Sequence, residues 1–510
     1  MNNLENFLKG RIVVPRPIKA DSYTITGDSL SSQEARNRSV YYLVNRISPA
    51  KVWPEVAKDT RNVLYGVSEY IRSHLTKKIK RKNVLEAADF LSEHKIGGQP
   101  IHFNKKMWLD VADIGFLPIR ISSLADGSTF YTNETPICVE NTYKGFGALA
   151  EHVEAIMLGM VSIATAAVTL RRHWLDRICE WMHLPVNSDG YKIAQNMIHD
   201  FGMRGCSCEE ESELLGKCHL LVFNGTDTTN AAYQAWCMGC KPGTGKSVMA
   251  GAHHNVQSWP TEDEFYANAI NQDDVVSCVS DCYQYKIAVK KLIALAKNNP
   301  DKVIVIRPDS GNHLENLEYT LDEVKSSEAK NIRYLDGDSV NPSLMKEIFD
   351  ICWRKGVDPQ SFIATFGIGG WLINNCTRDS LSSSFKLAAI ENNEAGCATK
   401  PVVKLSEIRE KLSVPGKNAI LRGKTFNNLG YSVVYHTELE FQRDARVVFY
   451  DNNEFSEYCY EPFSKIQDRV INNFIDMKRE PDYGLPSNTC LSPTIRKIQD
   501  EFRAKYQSNK

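Results

Sequence analysis

VIVIRPDSGN, residues 303–312, reads as a buried strand that delivers charge at its exit. Val303 to Ile306 is an apolar, largely β-branched run, as expected of a strand covered on both faces. Arg307 and Asp309 follow at once, and Pro308 and Gly311 set the turn that aims them. The same rhythm recurs on both sides. The run 220–223 leads into Gly225-Thr226-Asp227, 275–279 into Ser280-Asp281, 332–335 into Asp336-Gly337-Asp338, and 362–366 into Gly367-Ile368-Gly369-Gly370. Between them, 285–298 and 343–355 space apolar residues three or four apart, as helices packed on one face do. This alternation predicts an α/β fold, a (β/α) barrel over 186–400 whose polar and glycine-rich strand ends share one rim. Residues 1–185 and 401–510 lack the alternation. They predict a second α+β domain built from both chain ends.

A chain of 510 residues with 42% hydrophobic and 10% aromatic residues has material for more than one globular core. Its 61 basic and 62 acidic residues give a net charge of −1, so no overall field steers it to nucleic acid or an anionic membrane. Anion binding must be local. The start MNNLENFLKGRIVV lacks the charged, then apolar, character of a secretory signal. The apolar stretch near 155–170 is bounded by Glu151, Glu154, Arg171 and Arg172 and reads as a buried helix rather than a membrane span. Fourteen scattered cysteines show no disulfide framework and are read as reduced thiols in the cytoplasm. KKIKRK, 77–82, is read as a solvated helix end rather than a nucleic-acid patch.

Three motifs imitate other chemistries. CKPGTGKS, 240–247, approaches the P-loop pattern and makes an ATPase using Lys246 the rival of a different class, but Cys240 stands where the first glycine belongs and the preceding segment is helix-like. Cys237, Cys240 and His253 have finger-like spacing, yet His254 is adjacent to His253 rather than three to five residues on, which excludes a zinc finger. His199-Asp200-Phe201-Gly202 mimics a kinase DFG without its accompanying motifs. Gly367, Gly369 and Gly370 offer unobstructed backbone N–H groups, and Arg378, Ser384 and Lys386 add the donors that phosphate oxygens need.

In order along the chain, KADSY (19–23), HDFGMRG (199–205), GTD (225–227), SVMAGAH (247–253), SDCY (280–283), IRPDSGN (306–312), LDGDSV (335–340), FGIGG (366–370) and TRDSLSSSFK (377–386) resemble the type II phosphoribosyltransferases, the family of the nicotinamide and nicotinate enzymes. The resemblance implies transfer of ribosyl phosphate from phosphoribosyl pyrophosphate to nicotinamide. It implies that Phe201 and a partner subunit's copy of Tyr23 sandwich the pyridine ring, with Asp227 accepting from the carboxamide and Arg204 and Arg307 framing it. Asp309 would hold the ribose hydroxyls and, with Asp281, order Mg²⁺ through water. Asp338, Gly369, Gly370, Arg378, Ser384 and Lys386 would bind the 5′-phosphate, and Arg46 the pyrophosphate, in a homodimer with shared sites. His253 matches a phosphorylatable histidine that couples ATP hydrolysis. Met249 and Ala252 depart from the family's usual proline and acid before that histidine, and Met203 replaces a usual aromatic. Within the family, Asp227 favours a neutral amide over the nicotinate carboxylate, which it would repel.

Overall fold

The computed structural model describes residues 12–96, 99–247, 249–391, 399–406, 412–423, 429–477 and 490–507. Among them, two seven-stranded sheets organise the chain. The first is parallel throughout, in the order Met249–Ala250, Val275–Val279, Val303–Arg307, Ile332–Asp336, Ile363–Ile368, Ile198–Asp200 and Gly225–Thr226. Val303 lies opposite Val275, Ile304 opposite Ile332, and Phe366 opposite Ile198. One segment draws the two edges together. Lys246 bridges Gly225 at one edge, and three residues later Met249 and Ala250 pair with Val276 and Ser277 at the other. The sheet therefore curls into the expected barrel-like form.

The covering helices follow from the apolar spacing. Tyr285–Asn298 buries Ala288, Val289, Leu292, Ile293 and Ala296, and Pro342–Arg354 buries Met345, Ile348, Phe349, Ile351 and Cys352. Asn312 and Asn341 cap the helices His313–Ser327 and Pro342–Arg354, each side chain accepting from backbone N–H groups of the first turn. These caps fix the loops that carry the strand-end residues.

The second sheet is antiparallel, in the order Lys400–Pro401, Ser384–Ile390, Ser39–Val44, Ile137–Asn141, Ile119–Ser123, Val447–Asp451 and Glu454–Phe455. Strands from both chain ends build it, as expected. Two expectations are corrected. The strand Ser384–Ile390, within the segment assigned to the barrel, pairs instead with Ser39–Val44. The run 220–223 is the end of helix Glu209–Leu220 and the turn after it, and the strand is the following Gly225–Thr226. All four residues of that run are buried, and burial alone does not distinguish a strand from a helix end.

The barrel core also recruits segments from outside 186–400. Helix Ile163–Trp181, which contains the end of the apolar stretch, packs there through Ala164, Leu170, Trp174 and Ile178. Helix Phe463–Asp476 adds Phe463, Ile466, Val470 and Phe474. The Phe474 ring lies edge-on to His173, with centroids 4.9 Å apart, and takes the guanidinium of Arg61 at 3.8 Å and that of Arg172 at 4.3 Å from its centroid. Phe474→Ala would remove this buried contact between two cations and cost about 3–5 kcal/mol of stability. Urea denaturation checks this, and an unchanged midpoint would place the C-terminal helix outside the barrel's cooperative unit.

Candidate active site

All seven parallel strands point their C-terminal ends to one rim, and the residues singled out there converge. Phe201 follows Ile198–Asp200, its backbone N–H donating to the Ile368 carbonyl at 3.0 Å. Its ring lies against backbone. A Cβ built at Gly367 would come within 2.0 Å of Phe201 Cε2, and one at Gly337 within 3.1 Å. Gly369 is similarly pressed on the Phe201 carbonyl, at 2.9 Å, before the short helix Gly370–Asn374. Gly337 and Gly367, at two neighbouring strand ends, therefore make room for one aromatic ring.

His199 connects that ring to a carboxylate. Its imidazole meets Phe201 edge-on, with centroids 5.4 Å apart, and its Nε2 donates to Asp227 Oδ1 at 2.9 Å. Ser247 Oγ donates to the same oxygen at 2.6 Å, so Oδ2 retains its acceptor capacity. Burial opposes ionisation of Asp227. The hydrogen bonds from His199 and Ser247, with the charges of His199 and Arg307, outweigh it and hold the carboxyl below its ordinary value. Arg307, at the end of its strand, donates from Nη2 to the Gly251 carbonyl at 2.8 Å, while its buried Nε has no hydrogen-bond partner among the described residues. An orphaned donor of that kind suits a ligand oxygen. Arg204 lies in the turn Gly202–Gly205 and is exposed.

A second cluster surrounds Asp281, whose side chain is only 7% exposed. Its Oδ1 accepts from His253 Nε2 at 2.9 Å, and its Oδ2 from the Asp309 N–H at 3.0 Å and the Ser310 hydroxyl at 2.5 Å. Asp309 stays accessible, with its Oδ2 3.8 Å from His253 Nδ1. Asp338, in the next loop, accepts from the Ser339 hydroxyl at 3.1 Å. Among the described residues, no group of three or more His, Cys, Asp or Glu side chains is placed to hold a metal ion. Asp281 and Asp309 suit Mg²⁺ bound through its own water, since Mg²⁺ usually keeps several waters and takes one or two carboxylates besides the substrate phosphates.

The remaining expected ligands gather on the antiparallel sheet. Ser384 and Lys386 pair with Val44 and Tyr42, and with Arg46 they line a small recess. Arg46 donates to the Ser382 carbonyl at 2.9 Å and to its hydroxyl at 3.0 Å. Burial, countered by Glu154 and reinforced by Lys404, Arg46 and Arg378, holds the Lys386 ammonium below the ordinary lysine value. Tyr23 belongs to this side too. It is 65% exposed, and burial followed by the charges of Glu154 and Asp21 raises its phenol, while Glu154 sits 3.8 Å from Lys386. Within one chain the aromatic contact of Phe201 among the described residues is His199, and Tyr23 lies in helix Ser22–Leu30.

His199, Ser247 and Ser310 were not among the residues singled out from sequence, nor was the pair formed by His313 Nδ1 and Asp336, 3.0 and 2.9 Å apart. The hydrogen bond to Asp336 raises His313 above the ordinary histidine value. His199 had a signal, because it precedes Phe201 by two residues and residues two apart share a face of a strand. The P-loop likeness is not borne out by the backbone. Residues 240–247 follow helix Thr229–Cys237, and the N–H groups of Gly245 and Lys246 donate to the Asn224 carbonyl at 2.9 and 3.1 Å.

A model of the nicotinate phosphoribosyltransferase (NAPRTase) family matches residues 196–453, a little over half of the chain. A nicotinamide phosphoribosyltransferase of Xanthomonas campestris pv. campestris is 26% identical over 356 residues, spanning 65% of this chain and 74% of that protein. One of Acinetobacter baylyi is 23% identical over 328 residues, spanning 56% of this chain and 63% of that protein. In fold, the chain is similar to human nicotinic acid phosphoribosyltransferase, with a TM-score of 0.58, 12% identity and coverage of 94% of this chain and 99% of that one. It is equally similar to a nicotinate-nucleotide pyrophosphorylase from Pyrococcus furiosus, with a TM-score of 0.58, 15% identity and coverage of 91% and 97%. With the barrel, its glycine-lined rim and the family match in agreement, the chain belongs to the nicotinate phosphoribosyltransferase family and is a phosphoribosyltransferase.

Proposed function

We propose that the enzyme transfers the 5-phosphoribosyl group of phosphoribosyl pyrophosphate to nicotinamide, giving nicotinamide mononucleotide and pyrophosphate. The observation that carries this reading is the Asp227 carboxylate, held ionised one imidazole away from the Phe201 ring. A pyridine ring against Phe201 would present its carboxamide N–H to Asp227 Oδ2 and its carbonyl to the unpartnered Arg307 Nε. A nicotinate carboxylate in the same place would meet like charge.

The pyridine nitrogen lone pair forms the new bond to ribose C1 while the C1–O bond breaks and its electrons leave on pyrophosphate. No proton is lost, so no general base is needed. The sugar becomes cation-like, and the enzyme's task is to orient a weak nucleophile and accept a highly charged leaving group. Asp309, held in place by the grip of Asp281 and Ser310 on its loop, would take the ribose hydroxyls. Mg²⁺, which Asp281 and Asp309 would hold through its own water, would supply charge neutralisation at the phosphates.

The cation cluster of Arg46, Arg378 and Lys386, with the exposed Tyr23, fits the complementary role. In an isologous homodimer, each antiparallel sheet would bring these groups to the partner's rim and complete two equivalent sites. His253 would carry the coupling to ATP. With Nε2–H committed to Asp281, the lone pair lies on Nδ1, which would attack the γ-phosphorus of ATP and release ADP.

Asp227→Ser should lower kcat/KM for nicotinamide roughly ten- to hundredfold, the worth of about 1.5–3 kcal/mol for a hydrogen bond to a charged group, and improve nicotinate relative to nicotinamide. Side-by-side assays of pyrophosphate release check this, and an unchanged preference overturns the pocket. Because Asp227 is held below the ordinary carboxylate value, it stays charged as pH falls from neutral into the mildly acidic range. The wild-type KM for nicotinamide should therefore stay level there. Mixing inactive Tyr23→Ala and Asp309→Ala proteins should restore activity, since one site of the mixed dimer is intact; no recovery after proven subunit exchange counts against shared sites. His253→Ala should keep basal transfer but lose both ATP stimulation and acid-labile label from [γ-³²P]ATP.

A further inference from the structure

The basic run 77–82 has no part in the barrel rim, yet two of its lysines line a cavity on the N-terminal side of the molecule. The cavity has a volume of about 180 Å³ and is walled by Arg16, Lys19, His74, Lys77 and Lys78, with Leu75, Ile79 and Phe116 supplying apolar surface. No carboxylate lines it among the described residues. Four basic side chains therefore face one partly open space in a chain whose net charge is −1.

Arg16 is built into this wall. Its carbonyl accepts from His152 Nε2 at 3.1 Å, and its Nη2 donates to the Tyr70 hydroxyl at 3.1 Å. Its Nε and Nη1 are buried with no hydrogen-bond partner among the described residues. Leaving charged donors unsatisfied inside a protein is costly unless a ligand completes them. His74 is fixed as well. Its ring stacks on Tyr70, with centroids 5.3 Å apart and planes 9° from parallel. The Ser73 hydroxyl donates to the Glu69 carbonyl at 2.6 Å and so accepts from His74 Nδ1–H, also at 2.6 Å. That leaves His74 Nε2 as an acceptor, matched to the single O–H of a hydrogen phosphate.

We propose that this cavity binds a phosphate-bearing small molecule at a site separate from the barrel rim, with the phosphate held by Arg16, Lys19, His74 and Lys77 and an apolar portion against Leu75 and Phe116. The present charge state agrees. Burial and then the charges of Arg16 and Lys19 push His74 down to about 4, and burial, Arg16 and Lys77 hold Lys19 below the ordinary lysine value. These groups repel one another until an anion enters.

The probe is inorganic phosphate, titrated at constant ionic strength against chloride into wild-type protein carrying [¹³Cε1]histidine, with His74→Gln assigning the resonance. The expected result is a saturable shift of the His74 signal with phosphate alone and a rise of its titration midpoint from about 4. Phosphate at the catalytic rim would move other resonances. Lys19→Gln/Lys77→Gln should lose the response and, in chloride, show a higher Tm than wild type because repulsion is relieved. A His74 signal that responds equally to both salts, or without saturation, means an adventitious ion only and overturns the proposal. So does a wild-type response retained in the double variant. If that variant does not fold, Lys78→Gln and the wild-type titration decide the same question.

Discussion

Parallel pairing imposes the constraint on which the molecule depends. Strands that all run one way place every C-terminal end on the same side, so residues scattered from Phe201 to Gly370 meet without contact between neighbours in sequence. Closure of the sheet then matters as much as its direction. Lys246 and Met249–Ala250 reach opposite edges, and the segment between these two pairings carries Ser247 to the Asp227 carboxylate. The seam and the amide-recognition pocket are one piece of chain. A change that loosened the seam would act on Asp227 before it acted on the core.

Much of this was legible because strand ends carry a strong local signature. The run 303–306 and its successors at 332–335 and 362–366 stand out by β-branched residues followed by glycine and carboxylates, and all five expected strand exits hold an acidic or glycine residue in the site. The exception at 220–223 shows the limit. Four buried apolar residues satisfy either a strand or the end of a helix, and only the partners chosen in three dimensions decide. The strand Ser384–Ile390 escaped for another reason. Its identity depends on Ser39–Val44, more than 300 residues earlier, and no local rhythm records a pairing that distant.

The candidate site divides in the same way. Phe201, Asp227, Asp281, Arg307 and Asp309 lay in recognisable motifs. The groups that set their behaviour, His199 beside Asp227 and Ser310 beside Asp281, were invisible as partners because a hydrogen bond between loops leaves no spacing in the sequence. The cations split between two sheets. On the antiparallel side burial and then Arg378 lower Arg46, and burial with Arg46 and Arg378 among its causes lowers Lys386, whereas the rim has Arg307 with one donor unspent among the described residues. The two halves differ in what they gather: carboxylates and an aromatic ring at the rim, a cluster of basic side chains on the sheet.

The clasp of Phe474 by Arg61 and Arg172 bears on how the chain comes to be folded during synthesis. Helix Phe463–Asp476 fills part of the same core as Ile163–Trp181, and its partner Arg61 stands near the other end of the chain. A ribosome that has made every barrel strand has still not made the piece that covers Trp174's neighbours. The nascent barrel must wait with two buried guanidiniums uncapped, and helix Phe463–Asp476 acts as its latch. Premature termination upstream of 463 would therefore yield an open, aggregation-prone body rather than a smaller working barrel.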